Sequence, residues 1–162
     1  MRYLCIDLGD KRTGFACGDD VLFLVQPLLV AEAPSREAQL VTSLKMIEEY
    51  GPDRVVLGMP FNMDGSEGPR AKLTREFGDA LLQRLPPRTR VTLVYQDERL
   101  SSFAAEEKLN RTGRTHGEKK ALRDALAACA ILEDFLRAAR NASSAAHTNI
   151  ADEGIDDDEH PS

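Results

Sequence analysis

The run Tyr3-Leu4-Cys5-Ile6 closes on Asp7-Leu8-Gly9, and two further strand-like runs follow at once, Thr13 to Gly18 and Leu22 to Val30. Gly18-Asp19-Asp20 supplies turn chemistry between the second and third runs. Links this short favour antiparallel pairing, so the spacing predicts a three-stranded meander at the start of the chain.

Beyond Val30 the period changes. Leu40, Leu44 and Ile47 recur at helical spacing before the stop signal Gly51-Pro52. Arg54-Val55-Val56-Leu57 reads as a buried strand ending at Gly58-Met59-Pro60. Leu73, Phe77, Ala80 and Leu81 mark a second helix, stopped by Pro86-Pro87, and Val91 to Tyr95 is a fifth strand that runs into Asp97-Glu98-Arg99. A short helix is expected over 102–110. The last helix has a capping box, Thr115 with Glu118, and its stripe runs through Leu122, Ala125, Leu126, Cys129, Leu132 and Leu136. A meander joined to strand–helix–strand units predicts an α/β fold. Its five-stranded mixed sheet has three antiparallel strands plus two parallel ones, with helices on both faces.

The net charge is −6, which is unexpected for a partner of nucleic acid. Residues 141–162 hold six acids and no Lys or Arg; without them 21 acids face 21 bases, so residues 1–140 are formally neutral. The bulk charge therefore says little about the working surface. Residues 141–162 are rich in Ala, Ser, Asn and Asp, and are expected to be a disordered acidic tail to a single domain over 1–140. No apolar run approaches membrane-span length, and Asp7 interrupts the run a leader peptide would need, so a cytoplasmic protein is expected. Cys5, Cys17 and Cys129 have no zinc-like spacing, and His116, His147 and His160 lie outside any triad pattern.

Three acids stand at the edges of apolar elements. Asp7 shares a strand face with Tyr3 and Cys5; it suits a metal ligand, and equally a turn cap. Glu98 follows a strand, where sites gather in parallel sheets; spacing alone fits an exposed acid paired with Arg99 as well. Asp124 lies four and seven residues before Ala128 and Ile131, on the helix stripe that faces the protein. An ion pair with an arginine such as Arg12 is its structural alternative. Three such carboxylates suit a hard divalent cation, and two such ions can activate water and stabilise the leaving oxygen of a phosphodiester.

Four stretches carry a resemblance. Asp7-Leu8-Gly9-Asp10-Lys11-Arg12-Thr13-Gly14, Gly58-Met59-Pro60-Phe61-Asn62-Met63-Asp64-Gly65, Asp97-Glu98-Arg99-Leu100-Ser101-Ser102, and Lys119-Lys120 through Asp124-Ala125-Leu126-Ala127-Ala128 resemble, in order, the motifs of the YqgF family, also called RuvX. These are pre-16S ribosomal RNA nucleases related to Holliday-junction resolvases. The resemblance covers about 1–137. It implies a ribonuclease H-like fold and a nuclease that hydrolyses phosphodiester bonds with water. Asp7, Glu98 and Asp124 would be both the catalytic and the metal-binding residues, holding magnesium or manganese as a pair of ions. The implied partners are precursor 16S RNA or structured DNA, and no membrane; related resolvases act as homodimers.

Lys11, Arg12 and Arg99 adjoin the acids within these motifs and are the expected substrate contacts, whereas Arg70 and Lys72 read as solvated surface charges. Residues 111–117, with Gly113 and Gly117, are expected to form a loop over substrate. Three other classes share parts of the pattern. A Holliday-junction resolvase would use the same acids on four-way DNA. An RNA-binding module without catalysis would keep the fold. An actin-like ATPase also opens with Asp-x-Gly, but needs two such domains around its nucleotide.

Overall fold

The computed structural model describes residues 1–99 and 116–151, and within the last helix the side chains of 123–144. The elements run β1 (Arg2–Leu8), β2 (Arg12–Asp19), β3 (Val25–Glu32), α1 (Arg36–Tyr50), β4 (Arg54–Met59), α2 (Pro69–Arg84), β5 (Thr92–Asp97) and α3 (His116–Ala151). They build one five-stranded sheet in the order β3-β2-β1-β4-β5. The β1–β2 and β2–β3 pairs are antiparallel; β4 runs parallel to both β1 and β5. The sheet is thus the mixed one expected.

Period two sorts the strand residues onto two faces. Leu4, Ile6, Val55 and Leu57 meet Leu40 and Ile47 of α1 and Phe77 and Leu81 of α2. Tyr3, Cys5, Ala16 and Val56 meet Ala128, Cys129, Ile131, Leu132 and Leu136 of α3. The first helix is capped as its sequence requires. Ser35 Oγ accepts from the Ala38 N–H at 3.2 Å, and Gly51, at φ 57°, returns its N–H to the Ile47 carbonyl.

One boundary is corrected, and the last helix runs on past residue 140. The third strand begins at Val25, not Leu22, because Asp19 Oδ1 accepts from the Val21 and Leu22 N–H groups at 2.9 and 2.6 Å and Phe23 sits at φ 53°. That turn leaves Val21 to Leu24 as an apolar tip off the ladder. The expected tail beginning at 141 is also helical as far as Ala151. Once α3 is nucleated against the sheet, each added residue costs little, and Ala142, Ala145 and Ala146 are the best helix formers. The expected helix over 102–110, the Thr115 cap and loop positions 111–115 lie outside the described residues. Among the described residues, no helix is long and apolar enough to cross a membrane.

Candidate active site

The parallel pairing of β1, β4 and β5 brings their carboxyl ends to one edge of the sheet. Asp7 is the penultimate residue of β1, opposite Gly14 of β2, and on the face it shares with Cys5. Glu98 comes directly after β5, and its N–H donates to the Met59 carbonyl at 3.3 Å, which fixes it beside the end of β4. A Cβ added to Gly58 would lie 3.1 Å from Glu98 Oε2, so the carboxylate crosses over β4 towards β1 through space that only glycine leaves open.

There it meets Asp7. The two carboxyls are hydrogen-bonded; burial first, and then the charge of the other acids, raises both. Asp7 rises to about 6, with Asp124 the main neighbouring charge, and Glu98 to about 7, with Asp7 as the main one. Their hydrogen bond lowers Asp7 and raises Glu98, the pattern of Glu98 donating and Asp7 accepting. Two acids sharing a proton in a desolvated site are held in a state that a divalent cation would relieve.

Asp124 arrives from α3. A Cβ on Gly14 would come within 2.6 Å of the Asp124 carbonyl oxygen, so helix and strand are in backbone contact here. The Asp124 side chain accepts from Arg12 Nη1 at 2.8 Å, and Arg12 Nε also lies 3.4 Å from Glu32 Oε1. The ion pair weighed against metal binding is therefore formed. The structure brings Asp7 and Glu98 into contact and places the Asp124 charge where Asp7 feels it. Among the described residues, no three acids, histidines or cysteines are gathered tightly enough to cage a cation. The donors nevertheless fit a hard one: carboxylate oxygens, no sulfur or imidazole, and a half-buried pair whose charges repel.

The cations are distributed unevenly. Lys11 is exposed and lines, with Gly9, Asp10, Arg12 and Asp124, an open cleft of about 890 Å³. Arg99 is occupied: its Nε and Nη2 donate to Asp97, its Nη1 to the Asn62 and Met63 carbonyls at 3.4 and 3.2 Å, and its guanidinium lies 5.9 Å over the Phe61 ring. It ties the loop after β4 to the end of β5, on either side of Glu98. Two residues were not expected in the site. Arg70, in the first turn of α2 just after Pro69, lies 3.8 Å from Asp10 in the loop after β1, and its charge opposes the upward shift of both Asp7 and Glu98. Gln39, fully buried, donates from Nε2 to the Gly9 carbonyl at 2.8 Å and holds the loop after Asp7. Pro69 at a helix start is the signal that could have found Arg70; an amide on an apolar helix stripe could have found Gln39.

The five-stranded mixed sheet with helices on both faces defines a protein of ribonuclease H-like fold. The fold superposes on fowlpox virus resolvase bound to Holliday-junction DNA with a TM-score of 0.55 at 11% identity, covering 85% of this chain and 98% of that one. It matches Thermus thermophilus RuvC in complex with a Holliday-junction substrate equally well, TM-score 0.55 at 14% identity over 87% and 96% of the two chains. A candidate pre-16S rRNA nuclease of Anaeromyxobacter (strain Fw109-5) is 41% identical over 136 residues, 84% of this chain and 96% of the relative. Another, from Agathobacter rectalis, is 37% identical over 147 residues, 89% of this chain and 100% of the relative. The profile of RuvX, described as Holliday junction resolvase, matches residues 1–138, and the chain belongs to the RuvX family.

Proposed function

We propose that this chain is a divalent-metal-dependent endonuclease that hydrolyses phosphodiester bonds, and that its role is 5′-end maturation of precursor 16S ribosomal RNA. The observation that carries the reading is the half-buried Asp7–Glu98 pair, hydrogen-bonded at the strand ends within reach of the Asp124 charge. Relatives at 41% and 37% identity named for pre-16S rRNA point to the substrate. The nuclease domain is 1–140, it works in the cytoplasm, and Asp7, Glu98 and Asp124 are the ligands of magnesium or manganese, two ions in all.

When bound, the metal would supply an activated water and neutralise charge on the leaving oxygen. The chain's own residues prepare for this. Gly58 leaves room for Glu98 to reach Asp7, Gln39 fixes the loop after Asp7, and Arg99 fixes the loop beside Glu98. Arg12 holds Asp124 and, with Lys11, borders the cleft through which a strand would pass.

A second reading has its own support. The family profile is described by Holliday-junction resolution, and the same acids would cut four-way DNA, for which a homodimer would supply two sites. A cleavage gel separates the readings. The chain is incubated with precursor 16S RNA, plain single-stranded RNA and a four-way junction, each with EDTA, magnesium or manganese. Metal-dependent cutting of the RNA is expected. Paired symmetric cuts in the junction would favour the resolvase, and binding without cutting of any substrate would leave a non-catalytic RNA-binding module.

A further inference from the structure

The arginines near the site differ in what holds them. Arg12 bonds Asp124 at 2.8 Å, Arg75 bonds Glu67 at 2.8 Å, and Arg99 is fastened to Asp97 and two carbonyls. Arg70 is different. Among the described residues its guanidinium makes one ion pair, 3.8 Å to Asp10 Oδ1, and both partners are largely exposed, at 63% and 86%. Asp10 lies three residues after Asp7, in the loop that leaves β1, so this contact sets Arg70 beside the strand ends.

Its position is also locally unfavourable. A cation in the first turn of a helix opposes the helix dipole. The first turn of α2 itself holds no acid, and its N-cap, Gly68, offers no side-chain bond. The positive helix end and the arginine therefore add their charge at the same place, next to Asp10 in the loop after β1. Acids that hold a metal also repel a polyanionic strand, and a cation with free donors beside them offsets that repulsion for a phosphate.

We infer that Arg70 is a substrate-contact residue, donating from its guanidinium to a non-bridging oxygen of the phosphodiester being cut, while Asp10 keeps it at the mouth of the site before the strand arrives. The inference rests on the nuclease reading for its cleavage readout, and has a binding readout that does not.

The test compares Arg70→Gln, Arg70→Lys and the adjacent exposed Lys72→Gln in the full chain. Single-stranded RNA and a four-way junction serve as probes with manganese. Losing a charge-assisted hydrogen bond to phosphate should lower kcat/KM about 10- to 100-fold in Arg70→Gln. Arg70→Lys should recover part of this, as a charge without the two-pronged fork. Lys72→Gln should stay within about threefold, since it removes only a screened surface charge. In EDTA, the salt slope of RNA binding should fall by about 0.7 in Arg70→Gln. Manganese should bind Arg70→Gln more tightly, because a cation facing its ligands is gone, and the thermal midpoint should not fall.

Equal losses in Arg70→Gln and Lys72→Gln, or cleavage by Arg70→Gln at the parent rate, would overturn the inference and leave the nuclease reading standing. So would a fall in thermal midpoint that accounts for the lost activity. If the parent chain cuts nothing, the nuclease reading fails, and the salt slope decides alone: a slope unchanged in Arg70→Gln overturns the contact, and a reduced one sustains it.

Discussion

The two faces of the sheet are built from the same strands and do opposite things. Against α1 and α2 the strands present Leu4, Ile6, Phe15, Val55 and Leu57 to Leu40, Phe77 and Leu81, a thick layer of large side chains. Against α3 large residues such as Tyr3, Ile131 and Leu132 also pack, but between them the strands present Cys5 and Ala16 to Ala128 and Cys129, with backbone contact at Gly14. Large residues on one face contribute stability through buried area. Small residues on the other let a helix lie close enough to bring Asp124 to the strand ends. The thin face thereby places acids in a desolvated position, where they lower stability unless something compensates. One face should thus answer to stability measurements and the other to activity.

The largest separation is expected from Asp7→Asn. Losing a metal ligand removes several kcal/mol of transition-state stabilisation, a fall in cleavage of about 10³-fold or more. The fold should be unharmed, and at pH 7 the thermal midpoint should be no lower, because a half-buried carboxylate repelled by Asp124 becomes a neutral amide. Cleavage rate and melting of the same preparation check both; full activity with metal present would remove Asp7 from the site.

Phe77→Ala should show the converse. Phe77 is 2% exposed in the thick layer, and emptying that volume should cost about 3–5 kcal/mol in denaturant unfolding. Cleavage per folded molecule and manganese affinity should be retained. A matching fall in metal affinity would mean that the two faces are mechanically coupled.

Much of this division is legible in the sequence. Period two in Tyr3 to Ile6 and in Val55 to Leu57 assigns strand faces, and the short links before Thr13 and Leu22 fix the antiparallel half of the sheet. The step from Asp124 to Ala128 and Ile131 places that acid inward. Less legible are features set by distant partners. Arg99 looks like a free cation in its motif, and its engagement with the Asn62 and Met63 carbonyls depends on a loop 36 residues away. Arg70 looks like a surface charge, because its relation to Asp7 and Glu98 exists only once α2 has docked. Helix through Ala151 was masked by a composition that suits disorder, since local composition carries no record of the nucleus already formed upstream.

Gly14→Ala probes the contact between the faces' two functions. The new Cβ would meet the Asp124 carbonyl oxygen at 2.6 Å and Ala128 Cβ at 3.5 Å, so the helix backbone must retreat. About 1–3 kcal/mol of destabilisation is expected from overpacking. Unlike Phe77→Ala, it should also slow cleavage by the protein that remains folded, because Asp124 moves with the helix. Unchanged specific activity would show that Asp124 tolerates displacement, and would weaken its assignment as a ligand.

The smallest effect expected is a pH dependence confined to the thin face. Asp7 and Glu98 are raised to about 6 and about 7 from 3.8 and 4.5, so the folded protein binds more protons than the unfolded chain between about pH 4 and pH 7. These two groups therefore make the metal-free protein less stable as pH rises through that window, the reverse of a carboxylate held by a cation. A divalent ion must displace the shared proton, so its affinity should climb over the same interval. Scanning calorimetry with and without manganese should give a larger upward shift of the thermal midpoint at pH 7.5 than at pH 5.5, by a few degrees. Glu98→Gln, which cannot release a proton, should flatten the difference, and Phe77→Ala should preserve it at a lower midpoint. An equal shift at both pH values in the parent chain would mean that the ion binds away from the Asp7–Glu98 pair, and that the thin face is not where the metal sits.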